Sequence, residues 1–418
     1  MLQAVRDGAT FADARDAHFA QLADRDRRLA HELAAGVLRH RVELDRLLPL
    51  KRADRRLHDV LRLGAYQLRR LTKVPAHAAV STSVDLARET AGEGGARYVN
   101  HVLRRLALGA DGVKQGDDHA ATSSHPAWLV RRWRERLGED ETARLAAWND
   151  ARPAIVLQPA RWSAEVLRER LAAAGVVSEP APFGAGLRLV AGSAGARFPP
   201  PRSLPGYHEG GFVVQDPAAA LVCRFAAIPP GALVYDACAA PGGKAVALEK
   251  LGARVVAGDA RRARLERLHG TARRAGVAIR VVGADLLAAP FAPGAFEAVL
   301  VDAPCTATGT MARHPDARWR LSPGAAVGAA ARQASLLGAA AALVRVGGLL
   351  VYATCSLEPE ENDDVVNAFV RRHAEFAREP PSQVVPPELL TATGDLQTWP
   401  QRHGIDGAYA ARLRRERR

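Results

Sequence analysis

At 418 residues the chain is too long for one ordinary domain and is read as two or three. With 48% hydrophobic and 25% charged residues it can bury substantial cores, which excludes a disordered or fibrous chain. The net charge of +13 favours a polyanionic partner, because the guanidinium fork holds two phosphate oxygens at once. A GC-rich genome would also enrich Ala and Arg, so charge alone does not decide the matter. Residues Met1 to Asp7 lack the apolar core of a signal peptide, and the alanine-rich stretch 324–346 is interrupted by Arg332, Gln333 and Ser335. That stretch reads as a buried helix, with no membrane partner, and the expected location is the cytoplasm. Four cysteines (Cys223, Cys238, Cys305 and Cys355) make no disulfide framework, and without a C-x-x-C pair no metal is expected.

Residues 1 to about 105 read as all-helical. Apolar residues recur at helical spacing in Leu29, Leu33, Val37 and Leu38, and again in Val60, Leu61, Leu63, Leu68 and Leu71. Pro75 breaks the second run, and a third helix over 78–90 is expected to stop before Gly92, Gly94 and Gly95. Arg25, Arg27, Arg28, Arg39, His40 and Arg41 form a basic face, either a solvated helix surface or a contact for RNA phosphates. Residues 106–125 read as a linker. Residues 126 to about 228 mix a basic helix at Trp128–Arg136, strands at Ala154–Leu157 and Leu187–Val190, and a helix capped by Ser163, which together suggest a small α+β unit.

From Gly231 the pattern becomes regular. Strands are expected at 232–235, 254–257, 279–282, 296–301 and 349–352, with helices at 244–251, from Arg261 to Gly276, and from about Ala325 to Val346. Short apolar strands alternating with helices predict a parallel, doubly wound sheet.

The first strand of that region ends in Asp236-Ala-Cys-Ala-Ala-Pro-Gly-Gly-Lys244. A glycine-rich turn between strand and helix lets a ligand approach the backbone. Lys244 is followed by Ala245 rather than Ser or Thr, and no G-x-G-x-x-G is present, so neither a P-loop nor a dinucleotide fingerprint fits. The next two strands end at Asp259, placed for ribose hydroxyls, and near Asp285, placed for an adenine amino group. Three carboxylates at successive strand ends without a phosphate motif suit S-adenosyl-L-methionine, a cation without phosphate.

The fourth strand ends in Asp302-Ala-Pro-Cys305 and the fifth in Ala353-Thr-Cys355. Neighbouring strands lie ~4.8 Å apart, so both thiols would project from one carboxyl edge. Such a pair suits methylation of cytosine C5, a poor nucleophile. Thiolate attack at C6 turns the ring into an enamine that accepts a methyl group, after which the C5 proton and the thiol must leave. Asp302 is placed to hydrogen-bond N3 or the amino group of the base. A zinc deaminase would need P-C-x-x-C, which Pro304-Cys305-Thr-Ala-Thr308 lacks.

These motifs resemble those of the RNA cytosine-C5 methyltransferases, and within them the bacterial RsmB (Sun/Fmu) type that modifies 16S ribosomal RNA. The stretches 236–244, 302–305 and 354–356 carry the resemblance, with His314-Pro-Asp316 and Trp319 after the first cysteine. Glu32–His40, Leu63–Leu68, Val74–Val80 and Val99–Arg104 resemble an N-terminal NusB-like RNA-binding domain. The resemblance implies Cys355 as nucleophile and Cys305 as the residue that aids product release, a division spacing alone leaves open. It places the cofactor on Cys238, Ala239, Ala240, Pro241, Gly242, Gly243, Lys244, Asp259, Asp285 and Asp302, with S-adenosylhomocysteine as its product. Thr306-Ala307 departs from the family's common Ser-Gly.

The expected architecture is therefore a NusB-like helical domain with linker at 1–125, a small α+β linking domain at 126–228, and a Rossmann-like α/β methyltransferase domain at 229–418. The expected protein is a monomer that acts on 16S rRNA. Rival expectations are the same chemistry on transfer RNA, an inactive RNA-binding module of antitermination type, and a nicotinamide oxidoreductase, against which the missing G-x-G-x-x-G speaks.

Overall fold

The computed structural model describes residues 1–109, 124–190 and 198–416. They form two compact units, Met1–Arg152 with Met311–Pro323, and Pro153–Thr310 with Gly324–Arg418. Most of the expected linker, at 110–123, lies outside the described residues.

The first unit is helical. Helices span Leu2–Arg6, Phe11–Phe19, Asp24–Arg39, Arg41–Leu47, His58–Arg70, Ala76–Ala107, Ala127–Leu137 and Glu139–Asp150. The predicted apolar stripe is the face that packs: Val60, Leu61 and Leu71 join Val37, Leu44, Tyr66, Val99 and Leu103 in one core. The helix expected to stop at Thr90 instead resumes. Ala91 and Gly92 leave helical geometry, Gly92 at φ 71°, and the chain then continues helically to Ala107. Val99, Val102, Leu103 and Leu106, all buried at helical spacing, hold this second stretch in place.

Residues 311–323 belong to this helical unit although they interrupt the sequence of the other. Arg318 is fully buried there. Its Nη1 pairs with Asp150 Oδ1 at 2.6 Å and donates to the Ser124 carbonyl at 3.0 Å, while Nη2 donates to the Asn149 carbonyl at 2.9 Å. Trp319 Nε1 donates to the Leu38 carbonyl at 2.6 Å, and Asp316 accepts from the Phe11 amide at 3.1 Å. Arg39, predicted on the basic face, is buried and donates to the Ala312 carbonyl at 3.0 Å, whereas Arg25 and Arg28 are exposed.

In the second unit, β1 (Val156–Pro159), β2 (Ser178–Pro180), β3 (Leu187–Leu189) and β4 (Phe212–Val214) form an antiparallel sheet in the order β2-β3-β1-β4. Ser163 caps the helix Ala164–Ala173 by accepting from the Val166 amide at 3.2 Å. Helices 127–150, expected in the linking domain, group with the first unit, where Asp150 and Asn149 bind Arg318.

The large sheet contains β5 (Leu233–Asp236), β6 (Arg254–Asp259), β7 (Arg280–Gly283), β8 (Phe296–Asp302) and β9 (Val344–Thr354), parallel in the order β7-β6-β5-β8-β9. β10 (Phe376–Arg378), β11 (Leu396–Thr398) and β12 (Ala408–Arg415) add to it antiparallel, with β12 paired to β9. The sheet is thus mixed where a parallel one was expected. β12 escaped notice because residues 408–413 are all buried, which erases the alternation that marks a half-exposed strand.

The helix Ala325–Leu343 passes directly into β9, whose Val344 pairs with Phe296. The helix expected to reach Val346 therefore ends earlier, and a register shift between Phe296 and Ala298 takes up residues 345–348, Gly347-Gly348 included. By length and composition this helix could cross a membrane, yet Leu336, Leu337, Ala340, Ala341 and Leu343 pack into the core beside Val299 and Leu350.

Arg318 supplies the donors for one carboxylate and several main-chain carbonyls inside the first unit. Arg318→Ala is expected to cost about 3 kcal/mol, because it leaves buried acceptors unpaired. Arg318→Lys recovers only part of this, since an ammonium cannot reproduce the fork. Urea unfolding checks both, and a loss below about 0.5 kcal/mol for the alanine variant, the size of an ordinary surface change, contradicts the role.

Candidate active site

The site grows from one edge of the large sheet. β8 and β9 are adjacent and parallel, with Asp302 opposite Ala353. β8 ends three residues before Cys305 and β9 one residue before Cys355, and Cys305 Sγ lies 3.2 Å from Cys355 Sγ. The turns that follow are drawn together by main-chain bonds: the Gly309 amide donates to the Cys355 carbonyl at 2.9 Å, and the Gly407 amide to the Gly309 carbonyl at 2.8 Å. A Cβ on Gly309 would sit 2.7 Å from Gly407 Cα and 2.8 Å from the Cys355 carbonyl oxygen, so only glycine permits this approach.

The loop 238–244 leaves β5 and turns into the helix Gly243–Lys250. The Ala239 amide is fixed to the Gly258 carbonyl at 2.9 Å, and the Gly242 amide to the Ala239 carbonyl at 2.7 Å. Ala239 and Gly242 are buried, Pro241 is exposed, and Cys238, Ala240, Gly243 and Lys244 are partly covered. Lys244 Nζ donates to Asp302 Oδ2 at 2.7 Å. Burial opposes its charge, but Asp302 first, and more weakly Cys355, hold the ammonium above its ordinary range. A lysine committed in this way cannot serve a phosphate as a P-loop lysine does.

Asp259 and Asp285 close the ends of β6 and the following strand. Asp259 Oδ1 accepts from the Arg261 amide at 2.9 Å, and Asp285 Oδ1 from the Leu287 amide at 3.0 Å. Each carboxylate is thereby oriented by one main-chain bond. Asp259 is buried and Asp285 exposed. This donor set fits an adenosine carrying a positive centre, since hydroxyl and amino donors find acceptors and nothing in it is arranged for phosphate.

The thiols differ in character. The hydrogen bond to Cys355, then burial, pushes the Cys305 thiol far above its usual range, so Cys305 keeps its proton. Burial, then Asp302, pushes Cys238 up to about 12. Burial likewise pushes Cys223 up to about 12, and its Sγ donates to the Lys244 carbonyl at 3.7 Å, which marks it as a packing residue. Among the described residues no group of three or more His, Cys, Asp or Glu is arranged to hold a metal.

The structure brings Cys305, Cys355, Asp302, Lys244 and the loop 238–244 to one edge. It also gives Asp236, which the sequence offered only as one of three strand-end acids, a setting of its own, and it brings in Glu361, which sequence reasoning passed over. Asp236, at the end of β5, is fully enclosed, and neither carboxylate oxygen has a partner. Burial, then the charge of Asp302, pushes it up to about 7. Glu361, fully buried as well, binds the residues next to both cysteines. Its only signal was an acidic run, Glu360-Glu361, which reads as a solvated surface.

Asp236 makes a testable contribution to pH dependence. An acid with a folded-state pKa above its unfolded value binds its proton more tightly when folded, so stability falls as pH rises between the two values. The window runs from 3.8 to about 7. Asp236→Asn is expected to remove a decline of ~4 kcal/mol across that window. Unfolding at pH 5 and pH 8 checks this; an unchanged pH slope in the variant contradicts it.

Comparison with known proteins gives the family of the chain. The 16S rRNA methyltransferase RsmB/F family matches residues 227–414, the NusB family residues 1–108, and the ferredoxin-like domain of RsmF/B-like methyltransferases residues 125–194. A probable ribosomal RNA small subunit methyltransferase B of Synechocystis sp. is 34% identical over 93% of this chain and 91% of its own. The ribosomal RNA small subunit methyltransferase B of Pseudomonas syringae pv. tomato is 33% identical over 93% and 89%. The crystal structure of PH0851 shares the fold, with TM-score 0.79 and 24% identity over 100% of this chain and 97% of that one. The chain belongs to the RsmB/F family of 16S rRNA methyltransferases.

Proposed function

We propose that this protein methylates C5 of a cytosine in 16S rRNA with S-adenosyl-L-methionine, through a covalent bond between Cys355 and C6 of the base. The observation that carries this reading is the 3.2 Å separation of Cys305 and Cys355 at adjacent strand ends beside the Lys244–Asp302 pair. One cysteine at a sheet edge is usually a small apolar residue; two in contact, one of them held protonated, suit a reaction that needs a nucleophile and a second thiol.

When bound, S-adenosyl-L-methionine supplies an electrophilic methyl group. Residues 238–244 would cradle it, Asp259 would accept from the ribose hydroxyls and Asp285 from the adenine amino group. Cys355 adds to C6 as thiolate, with the Lys244 ammonium stabilising negative charge nearby. The electron pair moves to C5, which would take the methyl group as the donor's sulfur–methyl bond breaks and S-adenosylhomocysteine leaves. Asp302 has Oδ2 on Lys244 and no described protein partner for Oδ1, which it offers to the amino group or N3 of the cytosine. Transfer of the C5 proton to solvent then re-forms the C5–C6 double bond and expels Cys355 as thiolate. Cys305, neutral and in contact with the leaving sulfur, aids this release.

In this reading residues 1–125 form the NusB-like RNA-binding part with its linker, 126–228 the linking part, and 229–418 the catalytic part. The basic charge serves an RNA substrate, and the protein works in the cytoplasm as a monomer.

Cys355→Ala is expected to lower methylation by about 10⁴-fold or more, as loss of a covalent nucleophile does, while S-adenosylhomocysteine binding stays unchanged. Cys305→Ala is expected to accumulate a protein–RNA adduct that survives denaturing electrophoresis. Tritium transfer to 16S rRNA and gel shift measure the two effects. Near-normal methylation by the Cys355→Ala protein contradicts the assignment.

A further inference from the structure

Glu361 is fully buried on the single turn Pro359–Glu361 that follows Cys355, and among the described residues its carboxylate bonds only neutral donors. Its carboxylate accepts four hydrogen bonds from neutral donors. Oε2 takes the Thr306 amide at 2.9 Å and Gln333 Nε2 at 2.9 Å. Oε1 takes Ser356 Oγ at 2.6 Å and the Thr306 hydroxyl. Thr306 follows Cys305 in sequence and Ser356 follows Cys355. Gln333 also donates to the carbonyl of Pro304, at 3.0 Å, so both neighbours of Cys305 are gripped from one point. Tyr352, on β9, donates to the Glu361 carbonyl at 2.6 Å and fixes the turn itself.

An ionised carboxylate is an acceptor only, with room for four donors. Glutamine in its place offers one acceptor oxygen and an amino group that meets donors head-on. An uncompensated buried charge is costly, and a polar network of this kind is tolerated where it specifies one geometry. What this one specifies is the relative placement of the two cysteine-bearing turns.

We propose that Glu361 is a positioning residue for the thiol pair: it gathers the residues flanking Cys305 and Cys355 on one carboxylate and thereby sets the contact between the sulfurs on which release of the methylated base depends. The inference rests on the covalent reading given above. The negative charge of Glu361 also adds to the influences that keep the proton on Cys305, after Cys355 and burial. Glu361 acts through the cysteines and touches no substrate.

The test uses the full-length protein with 16S rRNA as substrate and compares Glu361→Gln, Glu361→Asp, Cys305→Ala and the double variant Glu361→Gln/Cys305→Ala. Glu361→Gln is expected to lower kcat by roughly tenfold or more with KM for RNA and affinity for S-adenosylhomocysteine little changed. Its pH–rate profile is expected to shift, and denaturation-resistant adduct to build up. Glu361→Asp keeps the charge but reaches less far, and is expected to recover part of kcat. If Glu361 works through Cys305, adding Glu361→Gln to Cys305→Ala raises the adduct no further, because the two changes act on one step. A Glu361→Gln protein with unaltered kcat and pH profile overturns the proposal, and so does an adduct effect that adds to that of Cys305→Ala. A loss confined to folded yield, with normal kcat in the folded fraction of both Glu361 variants, overturns it as well. Absence of adduct in the Cys305→Ala single variant strikes instead at the covalent reading, and removes this inference with it.

Discussion

The pairing of β8 with β9 is the constraint on which the site depends. Parallel strands in register at Asp302 and Ala353 end at the same edge, with Cys305 three residues beyond β8 and Cys355 directly after β9. A slip of one residue would turn each side chain to the opposite face of its strand and separate the thiols. The register is held on both flanks. β5 and β6 continue the parallel ladder on one side, and β12 locks β9 from the other over residues 409–414. Mixed pairing thus makes β9 an interior strand, which suits a position that carries the nucleophile.

Charge at this edge is concentrated in a small space. Asp236, Lys244 and Asp302 lie close enough to perturb one another, and one close ion pair joins Lys244 to Asp302. Asp236 is left without a partner and drifts toward neutrality, while Asp302 stays engaged and partly exposed. The two acids therefore have different duties although both end central strands. Contact between the sulfurs and burial raise the Cys305 thiol far above its usual range.

Much of this was legible in the amino-acid order. Strand-end acids and cysteines can be read because a parallel sheet presents its carboxyl ends together, and the apolar runs that define the strands are short and bounded by glycine. The division of labour between Cys305 and Cys355 was not legible from spacing and came only with the resemblance. Three other features were hidden for physical reasons. Gly92 looked like a helix terminator, but tertiary packing of Val99, Leu103 and Leu106 restores the helix beyond it. β12 is buried on both faces and so shows no alternation. Arg318 gave no signal in the sequence, because its donors serve carbonyls and an acid remote along the chain. Glu361 belongs to the same class, since a buried acid amid acids is recognisable only by its partners.

The central claim is that Cys355 bonds to C6 of the target cytosine. It is tested most directly with 16S rRNA carrying 5-fluorocytidine, in which fluorine at C5 cannot leave as a proton and the methylated adduct is trapped. Peptide mapping of the trapped complex by mass spectrometry is predicted to place the nucleotide on Cys355 and to require S-adenosyl-L-methionine for the added methyl group. A nucleotide found on Cys305, or methyl transfer to ordinary 16S rRNA with no trapping by the fluorinated RNA, would contradict it.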